Sequence, residues 1–148
     1  MATEGSSESL VVVGVDGSPE SVAALRWAAG YATATGARIR AVLSWHYPGA
    51  FGLSPYGRAP ESVTDEVREE MSEALGKAIA AGAPGVDVEQ ALDYGHPAEV
   101  LVNESREADL LVVGQRGHGS FSGMVLGSVS LHLVTHAHCP VVVVRADK

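Results

Sequence analysis

Most of the polar chemistry open to this chain sits in one glycine-spaced stretch, Gly114-Gln115-Arg116-Gly117-His118-Gly119-Ser120-Phe121-Ser122-Gly123-Met124-Val125-Leu126-Gly127-Ser128-Val129-Ser130. It follows the apolar run Leu110-Leu111-Val112-Val113 and leads into a helical pattern. An apolar strand, a glycine loop and a helix start together offer backbone N–H groups to a phosphate, and the helix dipole favours the negative charge. Arg116 adds a permanent cation between two loop glycines. Ser128 and Ser130 add hydroxyls where the helix begins, with Ser128 the expected N-cap. His118 reads either as a phosphate or water contact or as an exposed loop side chain. The stretch is therefore expected to hold the phosphates of a nucleotide. A second candidate is Asp16, which ends the apolar run Leu10 to Val15 and precedes Gly17-Ser18. It can meet a ligand, cap the helix that follows, or do both.

Other chemistries find less support. His132 and His136 are four residues apart and share a helical flank with His138 nearby, but no carboxylate or second thiol completes a metal set. Cys139 is the only cysteine, so no disulfide within the chain is possible, and its place before Pro140 suits a buried, inert thiol. There is no Gly-x4-Gly-Lys-Ser/Thr loop and no evident general base, so efficient phosphoryl transfer is not expected. The net charge of −8 argues against a nucleic-acid or anionic-membrane surface. It also requires any nucleotide site to rely on local donors.

The elements that must position these residues follow from the hydrophobic pattern. Leu10 to Val15 is a continuous β-branched run, expected of a strand buried on both faces. Ser18-Pro19-Glu20 opens a first helix that Gly36 can terminate. Ala37 to Trp45 reads as a second strand, and the Pro- and Gly-rich residues 46 to 60 as a long loop. Ser62 caps a helix with the stripe Val63, Val67, Met71, Leu75 and Ile79, and Gly82-Ala83-Pro84-Gly85 stops it. Val86 to Leu92 alternates like an edge strand. Gly95-His96-Pro97 turns into a helix, Asp109 to Val113 is a fourth strand, and after the glycine loop a helix through Val129, Leu133 and Ala137 leads to the strand Val141 to Val144. Strict alternation implies a parallel sheet wound with helices on both faces. Ligands of such sheets bind beyond the carboxyl ends of the strands, so Asp16 and Gly114 meet if strands one and four are neighbours. With 148 residues, 46% of them hydrophobic, one domain over 10–148 with a polar tail over 1–9 is expected. No apolar run reaches the roughly 20 residues that span a bilayer, and a cytoplasmic location is expected.

Three stretches carry a family resemblance: Val11-Val12-Val13-Gly14-Val15-Asp16-Gly17-Ser18, the spacing Gly114-x2-Gly117-x9-Gly127-Ser128, and His136-Ala137-His138-Cys139-Pro140 before the valine run. Together with Gly95-His96-Pro97-Ala98 they resemble universal stress proteins of the type with the spaced-glycine loop. The resemblance implies a five-stranded sheet in the order 3-2-1-4-5, of the adenine nucleotide alpha hydrolase-like kind, and commonly a homodimer pairing its fifth strands. It implies that Val15 and Asp16 lie against the adenine or ribose and that Trp45 offers backbone contacts to the adenine. By the same token Gly114, Arg116 and Gly117 would line the ribose and first phosphates, with His118 beside them as a further candidate. Gly127, Ser128, Val129 and Ser130 would contact the outer phosphates or a divalent ion. The implied ligand is ATP, with Mg²⁺, in a regulatory stress-response protein. A slow ATPase, or a binder of AMP or cyclic AMP, is the alternative.

Overall fold

The computed structural model describes residues 8–45, 61–116 and 125–146, with the side chains of 61–64 left aside. Gly117, His118, the loop 46–60 and most of the N-terminal tail lie outside the described residues. The chain runs β1 (Leu10–Gly14), α1 (Pro19–Thr35), β2 (Arg38–Trp45), α2 (Glu61–Gly82), β3 (Val88–Tyr94), α3 (Pro97–Glu104), β4 (Leu110–Gly114), α4 (Ser128–His136) and β5 (Val141–Val144). All four strand pairings are parallel, and the order is β3-β2-β1-β4-β5. This is the doubly wound sheet expected from the alternation, with β3 and β5 at the edges.

β1 is the middle strand, and its sequence shows why. Val11, Val12 and Val13 are completely buried, so both faces of the strand are covered. Val11, Val13 and Val15 pack with Leu25 and Ala28 of α1 and Leu75 of α2. Leu10 and Val12 pack on the opposite face with Leu101 of α3 and Leu133 of α4. Fully burying each of these leucines contributes about 2–3 kcal/mol. Asp109 fixes the register at the strand starts: its Oδ2 accepts the Leu10 N–H at 2.8 Å while its own N–H donates to the Leu10 carbonyl.

Helix ends obey the local chemistry. Ser18 caps α1 by accepting the Ser21 N–H, Pro19 takes the first position, and Gly36 closes the helix in the left-handed region at φ 81°. His96 caps α3, its Nδ1 accepting the Ala98 N–H at 3.3 Å. Three expectations need correction. Helix α2 begins at Glu61, so Ser62, expected as its cap, is already helical. The third strand begins at Val88 and not Val86, because Gly85 at φ 76° and the Val86 N–H to the Ala83 carbonyl keep the chain turning. The N-cap of α4 is Gly127, and Ser128 is already helical.

Far from the strand carboxyl ends, Arg40 on β2 ties down the last turn of α3. Its Nη1 donates to Glu104 at 3.0 Å and lies 3.6 Å from Glu107, and its Nε is 3.1 Å from Glu89 without hydrogen-bond alignment. Burial works against the guanidinium charge. The Glu104 hydrogen bond and the charges of Glu89 and Glu104 outweigh it and raise the Arg40 pKa.

Candidate functional site

Parallel strands that start together end together, and here β1 and β4 deliver their two polar exits to one cleft. At the β1 exit, the Val15 N–H still donates to the Val42 carbonyl at 2.9 Å, and the chain then bends through Asp16 and Gly17, the latter at φ 84°. Asp16 is exposed, and its Oδ1 accepts from the Ser18 N–H at 2.9 Å and the Ser18 hydroxyl at 2.6 Å. The aspartate thus shapes the turn into α1 from the rim of the cleft, which makes the capping role real alongside any contact with a ligand.

At the β4 exit, Gly114 is required by close approach. A Cβ there would lie 2.6 Å from the Glu20 Cβ and 2.9 Å from its carbonyl carbon. The glycine admits the first turn of α1 against the end of β4. Its loop geometry alone would not demand this. Gln115 then acts as a clasp that the sequence did not single out. Its N–H donates to the Val144 carbonyl at 2.7 Å, and its carbonyl accepts both the Gly127 N–H and the Ser130 hydroxyl, each at 2.8 Å. Its side-chain amide donates to the Val125 carbonyl. The start of α4 is thereby tied directly to the end of β4, whatever path the intervening residues take.

The cleft between these exits is lined on one side by Asp16, Ser18 and Ser21 and on the other by Gly114, Arg116, Val129 and Ser130. Val42, Pro97 and Leu101 supply an apolar wall. Among the expected site residues, Val15, Asp16, Gly114, Arg116, Val129 and Ser130 therefore share this cleft. Gly127 and Ser128 stand at the start of α4 beside it, the Gly127 N–H already given to Gln115 and Ser128 exposed.

Trp45 does not line this cleft. It is buried, its ring meets Tyr94 edge-on at 4.9 Å, and its carbonyl accepts the Gly95 N–H at 2.7 Å. From β2 it is Val42 and Ser44 that face the cleft. Both went unnoticed in sequence because a buried Val and a strand Ser carry no motif. Pro97 and Leu101 were legible only as helix residues after Gly95-His96.

The polar groups divide the cleft by charge. The first three N–H groups of α4 have no intrahelical acceptor, and the Gly127 N-cap offers no side chain to them. They give the α4 side a positive character that Arg116 augments. On the α1 side Pro19 has no N–H, Ser18 accepts the Ser21 N–H, and Asp16 accepts the N–H of the Ser18 cap. Among the described residues, no group of three His, Cys, Asp or Glu is placed to hold an ion. His132 and His136 stack on one another with ring centroids 4.3 Å apart. Cys139 donates to the Pro140 carbonyl at 3.4 Å, and burial with the nearby Asp109 charge pushes its thiol pKa up. The thiol is half-buried and not, as expected, buried. No helix among the described residues is long and apolar enough to cross a membrane.

Comparison with known proteins agrees with this layout. Residues 10–145 match the model of the universal stress protein family. A universal stress protein of Mycolicibacterium smegmatis is 37% identical over 139 residues, which is 91% of this chain and 45% of that relative. The chain spans about half the length of the curated relatives it matches. A universal stress protein solved in complex with cyclic AMP is 30% identical, with a TM-score of 0.64, over 96% of this chain and 100% of that one. The structure of a universal stress protein from Archaeoglobus fulgidus is 25% identical, with a TM-score of 0.67, over 93% of this chain and 98% of that one. With residues 10–145 matching the family model and the sheet in the order that the resemblance implies, the chain belongs to the universal stress protein family.

Proposed function

We propose that this protein binds an adenine nucleotide in the cleft between the ends of β1 and β4, and that the bound nucleotide acts as a switch in a stress response. One observation carries the reading: an apolar wall of Val42, Pro97 and Leu101 stands beside a phosphate-suited end made of Arg116 and the first turn of α4. The apolar wall suits a base, and Asp16 at the rim suits ribose hydroxyls. ATP with Mg²⁺ is the expected ligand. The ion would travel on the phosphates, since Mg²⁺ seldom needs a cage built by protein alone. Titration calorimetry with ATP and Mg²⁺, together with native mass spectrometry of the purified protein, tests this. Neither heat nor a retained nucleotide would overturn it.

The cyclic AMP complex of a 30% identical structure supports a second reading, in which the same cleft takes AMP or cyclic AMP. A competition series with ATP, ADP, AMP and cyclic AMP decides between them. Slow hydrolysis of ATP belongs to the same alternative, and phosphate release above the level of heat-denatured protein would establish it.

The proposal includes a homodimer, in a cytoplasmic protein. The β5 edge is Val141-Val142-Val143-Val144, and all four are only partly buried. An open apolar edge of this kind needs a cover. Exposed apolar side chains flank it on both faces. Trp27 and Tyr31 stack at 5.3 Å on the flank of α1 opposite α2, and Leu131 and Val134 lie on the flank of α4 away from α3. A second copy pairing antiparallel across a two-fold axis would match each of these patches with itself. Sedimentation that finds a monomer at micromolar concentration would refute the dimer.

A further inference from the structure

We infer that Glu20 is a charge gate on the phosphate end of the cleft, weakening the hold on a nucleotide in proportion to the charge its phosphates carry. The inference rests on the adenine-nucleotide reading above. Its ground is a juxtaposition. Glu20 lies in the first turn of α1 and is pressed against Gly114, the residue at which β4 gives way to the glycine loop. Its Oε2 lies 3.9 Å from Nη2 of Arg116, which lines the cleft. Both side chains are mostly buried, at 18% and 28% exposed, so solvent screens the pair poorly.

The local charge balance makes this pair matter. Residues 117–130 contain no Lys, Arg, Asp or Glu, so Arg116 is the single permanent cation of the loop and helix start. Asp16 at the opposite rim and the net charge of −8 add to the negative field. A phosphate that approaches Arg116 meets a guanidinium whose charge is already partly answered by Glu20. At 3.9 Å the contact is too long to be a hydrogen-bonded clamp that would aim the guanidinium. Its effect is therefore electrostatic: the carboxylate competes with the ligand for one cation and repels each further phosphate charge. Adenosine, with no charge, should not sense Glu20 at all. Selectivity among adenylates would then be set partly by a residue that does not line the cleft.

The test is calorimetry at low salt with adenosine, AMP, ADP and ATP, on the full chain and on Glu20→Gln, Arg116→Gln and the double variant. Glu20→Gln should raise affinity about threefold for AMP and about tenfold for ATP, and leave adenosine unchanged, as expected for a partly buried charge. In the Arg116→Gln background the same substitution should gain less than about twofold, since the contested cation is gone. No gain, an equal gain for adenosine, or an undiminished gain without Arg116 overturns the gate while leaving the site intact. If neither the natural chain nor any variant binds any of the four, the adenine-nucleotide reading falls and the gate with it.

Discussion

The N-terminus of α1 and the N-terminus of α4 stand on opposite sides of one cleft, each carried there by a central strand, yet they treat their first-turn amides differently. At α1 the chain answers its own donors. Ser18 accepts the Ser21 N–H at 3.1 Å, the Ser21 hydroxyl returns to the Ser18 carbonyl at 2.9 Å, and Asp16 holds Ser18 through both its N–H and its hydroxyl. At α4 the cap is a glycine with no side chain, and the one buried hydroxyl of the first turn, on Ser130, is turned back to Gln115. One end is closed by a carboxylate and two serines. The other spends its side chains on anchoring itself and leaves backbone donors at its tip. On the proposed reading, the difference would assign the ends of the nucleotide: phosphates to α4, ribose and base to the side of Asp16.

The comparison can be broken at its packing. Gly114→Ala should cost about 2–3 kcal/mol of stability, because the new methyl meets backbone of α1 that cannot rotate aside. Thermal melts check this. A loss of ligand binding in that variant would then report a displaced α1, and a melting point equal to that of the natural chain would show that Gly114 serves the ligand alone.

A milder change should make the α4 end resemble the α1 end. Ser128 is exposed at the first helical position. Ser128→Asp places a carboxylate in the first turn, where it stabilises the helix by about 0.5 kcal/mol. The same charge should lower nucleotide affinity by about tenfold, or about 1.4 kcal/mol, through repulsion of the phosphates. Stability held or raised with binding lost is the expected pair of results. Binding unchanged would move the phosphates away from α4.

How much of this was legible in sequence depended on whether one residue or two set the feature. The β1 run, the Ser18-Pro19 start, Gly36 and the β5 valines are read from local chemistry, and the sheet places them as expected. Asp16 and Gly114 were expected to meet if β1 and β4 are neighbours, and the pairing of those strands brings them to one cleft. Contacts between distant residues were not. Gln115 looks like loop filler until its partners Val125, Gly127, Ser130 and Val144 are known. Ser105 reads as a helix residue, yet it is buried and its hydroxyl accepts the His138 N–H, joining α3 to the turn before β5. The α4 cap was misplaced by one residue because a serine is the better capping type, and here Ser128 is already helical and exposed.

Gly14 offers the finest test, because it is the β1 counterpart of Gly114 and meets a different kind of neighbour. A Cβ at Gly14 would lie 2.7 Å from Leu101 Cδ1 and 3.2 Å from Val113 Cγ1, and both are ends of side chains. Such atoms can yield by a rotamer change where the backbone of α1 at Gly114 cannot. Gly14→Ala should therefore cost less than Gly114→Ala, about 1 kcal/mol or below. Leu101 nevertheless lines the apolar wall of the cleft, and the displaced methyl has that space to move into. Affinity for adenosine and for ATP should then fall by the same factor, about threefold, since the lost room is at the base and not at the phosphates. A larger loss for ATP than for adenosine would put the phosphates on the α3 side and reverse the assignment of the two ends.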